Sequence, residues 1–315
     1  MKPGIDDAKK KKNSKITVYG AALLFSFTVG FSFLGVKVCM EVATPLQILT
    51  YRYNFAALSA ILPLVSKKVK IDLRGKSIGK LFLPAGLYLG FMASQTVGLL
   101  FASTIESGII FAIVPVLAKI IAYYYLDEKG NWKQNLFVTL SITAVIAMFI
   151  FSITDFQGVS IKGLIFLTAS SVMMALSNVF MRGGRKEFSP YSIAFTICIG
   201  GCIIFNFVTF AIAAIRGTPL NYFDLLSHWR FVVAILFLGI PTTLGSSLLM
   251  AYMLANMEAV KATIFGNLST CISIVAGVIF LSEPLKAYHV VCAMLIITGV
   301  IGTSLSGNDK NETKC

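Results

Sequence analysis

Carboxylates are almost absent from the long apolar stretches of this chain. Only 14 of its 315 residues are Asp or Glu, and all stand in short polar segments, tails or the ends of apolar runs. The nearest to a run's interior are Glu41 and Glu106. No membrane-centred acid is therefore left to carry a proton or a sodium ion. Catalytic residues are missing too. Neither histidine, His228 or His289, belongs to an H-E-x-x-H motif, and there is no pair of intramembrane aspartates and no Gly-rich phosphate loop. These absences speak against a membrane enzyme and against ATP-driven transport within the chain, and no feature calls for a metal or a cofactor. The six cysteines have neither disulfide-framework nor zinc spacing. Cys198 and Cys202, one helical turn apart, read as small membrane-compatible hydrophobes.

What the chain does have is apolar length. Hydrophobic residues make up 57% of it and charged residues 13%, against about 25% charged in soluble domains. About 20 consecutive apolar residues span a bilayer as a helix. Ten such runs are expected, at Ile16–Cys39, Pro45–Val65, Leu81–Ala102, Glu106–Leu126, Trp132–Phe151, Gly163–Met181, Pro190–Ile215, Phe231–Ala255, Val260–Leu281 and Tyr288–Leu305. The first is too long for a signal-peptide core and lacks a small-residue cleavage site. The net charge of +13 does not point to nucleic acid, because the basic residues gather in short segments between apolar runs. With the N-terminus in the cytoplasm, 20 Lys and Arg fall on the inner side and five on the outer, while Arg52 and Lys119 lie within helices. The positive-inside rule then places both termini in the cytoplasm.

The two halves of the chain match each other. A shift of 155 residues sets Leu140–Ile146 on Leu295–Ile301 with five identities in seven, and Glu128 on Glu283. A shift of 145 sets Pro45 on Pro190 and Lys37 on Arg182. Each half has an odd number of spans, five, so the second enters the membrane from the opposite side and the repeat is inverted. The resulting expectation is an all-α polytopic membrane protein of ten transmembrane helices in two inverted five-helix repeats. Its parts are a basic tail (1–15), the repeats (16–153 and 158–306) and a second cytoplasmic tail (307–315).

The stretch Phe280–Ile301, "FLSEPLKAYHVVCAMLIITGVI", and helix 2, "TPLQILTYRYNFAAL", with Pro45 opening it and Arg52 on its second turn, resemble the EamA-like family of the drug/metabolite transporter superfamily. The first repeat departs from that pattern at Lys129 and Gly130, and at Ala144 where the second has Gly299. The resemblance covers about Tyr19 to Leu305. It implies two inverted halves and export or exchange of small metabolites across the bacterial inner membrane.

Within this frame the residues of interest are the polar ones at depth. Lys119 lies in helix 4, and its side chain tilts toward the helix N-terminus and so away from the nearer, inner face. It can line a water-filled cavity, snorkel against the tilt, or pair internally; the first reading is preferred. Arg52 lies about 10 Å below the outer end of helix 2 and points back toward it, so it is expected to snorkel to the outer headgroups as an anchor. Gln95, Asn178, Thr242, Ser246, Asn267 and Thr270 are candidates to complete a substrate cavity, with interhelical hydrogen bonding as the alternative role. Pro241, between Gly239 and Gly245, marks helix 8 as the helix to bend or gate. Since the charges at depth are cationic, the expected solute bears an anionic group, as an amino acid or organic acid does.

The expected partners are thus a small-molecule substrate and the lipid bilayer, not nucleic acid. A stripe of small residues on helix 3 (Gly86, Gly90, Ser94, Gly98) allows close helix approach within a monomer or across a homodimer. A channel or an interaction scaffold is the alternative to a carrier.

Overall fold

A computed structural model of the chain describes residues 5–67, 69, 71, 76–102, 107, 110–111, 114–126, 131–155, 161–184, 187–217, 223–257, 259–282 and 287–306. Among these residues there are helices and turns and no strands. The helices are α1 (Ile5–Met40), α2 (Pro45–Val65), α3 (Gly79–Gly98), α4 (Val114–Leu126), α5 (Trp132–Asp155), α6 (Ile161–Gly184), α7 (Pro190–Arg216), α8 (Trp229–Asn256), α9 (Ala259–Leu281) and α10 (Ala287–Leu305). Five stretches, Ile16–Met40, Pro45–Val65, Ile165–Gly184, Pro190–Arg216 and Trp229–Asn256, are by themselves long and apolar enough to cross a membrane. α1 starts earlier than the expected Ile16, because extending an existing helix through Lys- and Ala-containing sequence is far cheaper than nucleating one. α3 stops at Gly98, short of the expected Ala102. Glu128 and Glu283 lie outside the described residues.

Local chemistry sets the helix starts. At α2, Thr44 and Gln47 form a reciprocal capping box, with the Gln47 N–H donating to the Thr44 hydroxyl (3.4 Å) and the Thr44 N–H to Gln47 Oε1 (2.9 Å). Pro45 follows at the first helical position, where its missing N–H leaves no bond unmade. α7 repeats the arrangement: the Ser192 N–H donates to the Ser189 hydroxyl (3.1 Å), and Pro190 follows. Ser189 is Thr44 shifted by 145. α7 ends on Gly217 at φ 61°, a conformation that glycine adopts without Cβ strain.

Between the halves, α1 packs on α8 and α9, α2 on α7 and α8, α3 on α6 and α7, α4 on α6 and α9, and α5 on α10. Replacing every helix by the one five places away returns the same set of pairs. The closest approaches use glycine. A Cβ on Gly98 would come within 2.8 Å of the Leu167 side chain, and one on Gly90 within 2.8 Å of Met173 Sδ. The small-residue stripe of α3 is therefore spent on α6 at these two positions. At the α5–α10 contact, a Cβ on Gly302 would reach 2.2 Å from the Phe137 ring.

The end of each first helix also has a counterpart. Lys37 on α1 donates through Nζ to the carbonyls of Leu99 and Ala102, both at 3.1 Å, just beyond α3. Arg182 on α6 donates through Nη1 to the carbonyls of Leu254 and Met257 at the end of α8. Lys37 shifted by 145 is Arg182, and Leu99 and Ala102 shifted by 155 are Leu254 and Met257. A cation there satisfies carbonyls that have no helical donor and opposes the negative end of the helix dipole. Replacing Lys37 or Arg182 by Met should each destabilise the protein by about 1–2 kcal/mol, with Arg182→Lys recovering part of the loss, as read from unfolding in detergent.

A surface ion pair ties the start of α3 to the α6–α7 connection. Lys80 Nζ donates to Glu187 Oε1, and the Ser77 N–H donates to Glu187 Oε2 (3.3 Å). The hydrogen bond from Lys80, with help from Ser77, holds the Glu187 carboxyl below its ordinary value, and the same hydrogen bond raises Lys80. A carboxyl with a lowered folded-state pKa stabilises above its unfolded value and loses that effect as pH falls through the folded one. The Tm difference between the native chain and Glu187→Gln should accordingly shrink toward zero as pH drops from 7 to below the ordinary 4.5.

Candidate site at the α2–α3–α7–α8 junction

Arg52 is 2% exposed. The expectation that it snorkels to the outer headgroups does not hold, because its side chain turns into the protein and Nε donates to the Thr243 hydroxyl on α8. The facing backbone explains this. A Cβ on Gly239 would come within 2.8 Å of the Arg52 carbonyl oxygen and of Phe55 Cβ, so α2 and α8 approach at a distance only glycine permits. Thr243, one turn further along, then meets the guanidinium.

α8 is not a regular helix at this level. Pro241 has no N–H and breaks the ladder, and Leu238–Gly245 winds as a π-helix. Hydroxyls supply donors to the displaced carbonyls: Thr242 donates to Phe237 O (2.9 Å) and Thr243 to Leu238 O (2.7 Å), each five residues back. Ser246 donates to Thr242 O. The Thr243 hydroxyl therefore accepts from Arg52 while donating to its own helix. On α3, the Tyr88 hydroxyl faces Ser246 and Ser247.

Among the described residues, the groups within electrostatic reach of the guanidinium are Tyr53, Tyr88, Cys39 and Cys198. None is a carboxylate. The ion pairs found among the described residues, Lys80–Glu187 and Arg230–Glu41, are at the surface. A guanidinium cannot shed its proton in a protein, and removing such an ion from water costs several kcal/mol. The two Nη groups make no hydrogen bond among the described residues. The neighbouring Tyr53 hydroxyl is also buried without a hydrogen-bond partner among the described residues.

The repeat register locates this cluster. Tyr88 and Thr243 are counterparts at the shift of 155, and Tyr53 and Cys198 at the shift of 145. Matching positions of both halves thus gather around one guanidinium, while the counterpart of Arg52 itself is Ile197, an apolar and fully buried residue. The ring of Tyr53 lies over Gly201, where a Cβ would be 2.1 Å away, and against Phe205 at 5.1 Å.

The other expected site residues do not all gather here. Thr242 and Ser246 are buried beside the cluster, with their hydroxyls used on the α8 backbone. Pro241 is exposed and lies in the π segment. Gln95 on α3 and Asn178 on α6 are both buried, and neither Asn178 amide atom has a hydrogen-bond partner among the described residues. α3 and α6 run antiparallel, with Ser177 donating to Pro84 O and Gly98 against Leu167; this leaves Gln95 and Asn178 about 15 Å apart along the helices. Thr270 is buried on α9, where Ser273 donates to its carbonyl. The side chains of Lys119 on α4 and Asn267 on α9 lie outside the described residues. The sequence reading missed Tyr53, Tyr88, Thr243 and Ser247. Its one usable signal was the Thr-Thr and Ser-Ser pairs flanking Leu244 and Gly245.

Comparison with known proteins agrees with the repeat. The chain is 32% identical over 302 residues to a Bacillus subtilis protein named uncharacterized transporter YcxC, covering 96% of this chain and 97% of that one. It is 25% identical to uncharacterized transporter YyaM of the same organism (92% and 94%), and 22% identical to an uncharacterized transporter of Archaeoglobus fulgidus (86% and 92%). A solved crystal structure superposes with a TM-score of 0.71 at 13% identity, over 91% of this chain and 97% of the other, a likeness of fold. The EamA-like transporter family matches twice, at residues 16–150 and 161–305, and the chain belongs to that family, as a multi-pass membrane transporter.

Proposed function

We propose that the chain is a secondary carrier of the bacterial inner membrane. It moves a small anion-bearing solute, such as an amino acid or organic acid, outward or in exchange, by alternating access. Ten spans form two inverted halves with both termini in the cytoplasm. The observation that carries this reading is the set of helix pairs between the halves, which maps onto itself when every helix is replaced by its counterpart. Two halves related in this way can rock against each other about a site at their interface, exposing it to one side at a time. Lys119, Gln95, Asn178, Thr242, Ser246, Asn267 and Thr270 line the path, and the π segment around Pro241 is where α8 yields.

Cys315 tests the orientation directly. Cys39, Cys198, Cys271 and Cys292 are buried, so a membrane-impermeant maleimide should react chiefly at the tail. Inverted vesicles should label far more strongly than intact cells, and Cys315→Ser should abolish the difference. Equal or stronger labelling of intact cells would place the C-terminus outside.

Transport is tested in proteoliposomes loaded with an unlabelled amino acid or organic acid and given the labelled compound outside. Saturable counterflow that Lys119→Met weakens is the expected result. A unitary current without saturation would replace the carrier by a channel, and normal transport of the same anion by Lys119→Glu would remove the cationic path.

A further inference from the structure

We propose that the Arg52 guanidinium anchors the carboxylate of the transported solute, at the junction of α2, α3, α7 and α8. This deepens the carrier reading and rests on it. The protein itself supplies the contrast. Lys37 and Arg182, the cations that hold helices together, each spend their charge on two backbone carbonyls. Arg52 is buried as deeply as any charged side chain described, yet among the described residues its one hydrogen bond is Nε to the Thr243 hydroxyl and no carboxylate faces it. A purely structural arginine would be completed by acceptors. Among the described residues nothing bonds the Nη pair of this one.

The surroundings supply what a carboxylate needs. An arginine held at Nε still presents an N–H pair in fixed geometry, and such a pair binds the two oxygens of one carboxylate. The Tyr53 hydroxyl, buried and without a hydrogen-bond partner among the described residues, is a further donor. One guanidinium neutralises one negative charge, which favours a monoanionic group over a phosphate dianion. The Tyr53 ring and Phe205 set an apolar wall beside it.

Position favours a transported ligand over a permanent one. Tyr88 and Thr243 are counterpart residues of the two repeats, so the site straddles the interface about which inverted repeats move. Thr243 sits inside the π segment of α8, and any change in that segment moves the group that holds Arg52. Single-turn π geometry is enriched at functional sites.

The test uses the full-length chain in lipid nanodiscs, with thermal unfolding followed in sodium acetate, propionate and lactate. The neutral controls are acetamide, propionamide and lactamide, and sodium chloride at equal sodium concentration is the inorganic-anion arm. Carboxylates should raise the Tm above both the amides and chloride, saturably. Arg52→Lys keeps the charge but loses the fork, and should weaken the half-saturating concentration by about tenfold or more. Should that variant not fold, Tyr53→Phe keeps the arginine, removes a hydroxyl that has no hydrogen-bond partner among the described residues, and should weaken carboxylate stabilisation while leaving the unliganded Tm close to native. The proposal is overturned if amides match carboxylates in the native chain, if chloride gives the whole effect, if no carboxylate stabilises, or if Arg52→Lys responds as the native chain does. Counterflow by the same preparations separates the two readings. A native chain that counterflows while Arg52→Lys does so equally keeps the carrier and loses this site. A native chain stabilised by carboxylates through Arg52 but unable to counterflow keeps the site and loses the carrier.

Discussion

A permanent positive charge enclosed in protein governs the middle of this molecule. Arg52 cannot deprotonate and is almost wholly enclosed, so the surrounding helices must carry it. Gly239 brings α8 close enough to do so, and Pro241 forces the π winding that turns Thr243 toward the guanidinium. The same winding displaces carbonyls, which the Thr242 and Thr243 hydroxyls then satisfy. In hydrocarbon no water could do this for them. The irregular stretch is tolerated because its hydrogen bonding is completed from within.

The scaffold around that charge is nearly symmetric, and the charge is not. Thr44 and Ser189 cap counterpart helices, and Lys37 and Arg182 close counterpart helix ends on counterpart carbonyls. Yet the counterpart of Arg52 is Ile197, and the counterpart of Tyr88 is Thr243. Duplicated packing keeps the two halves interchangeable as mechanical units. At the junction the counterparts differ in chemistry, so one charge stands where exact symmetry would place two or none.

Much of this was legible in the sequence because it is local or repetitive. Pro45 after Thr44 and Pro190 after Ser189 announce helix starts through chemistry that acts within four residues. The match of Lys37 to Arg182 predicted equivalent roles without saying what the roles were. The reading of Arg52 failed for a definite reason: it treated α2 as a lone helix in lipid, where snorkelling is the only escape for a charge. The glycine that brings α8 alongside lies 187 positions further along the chain, and no local pattern connects the two.

Gln95 and Asn178 make the same point from the other side. Sequence marked both as polar groups at depth, and both are buried. Only the antiparallel packing of α3 on α6 decides that they stand about three turns apart along the helices. By itself, then, the sequence determined the apolar spans, the repeat, the caps and the cationic character at depth, since each follows from hydropathy or from contacts a few residues long. The tertiary structure alone decided which polar groups meet, because helix rotation and close approach are set by glycines and side chains on partners far away in the chain.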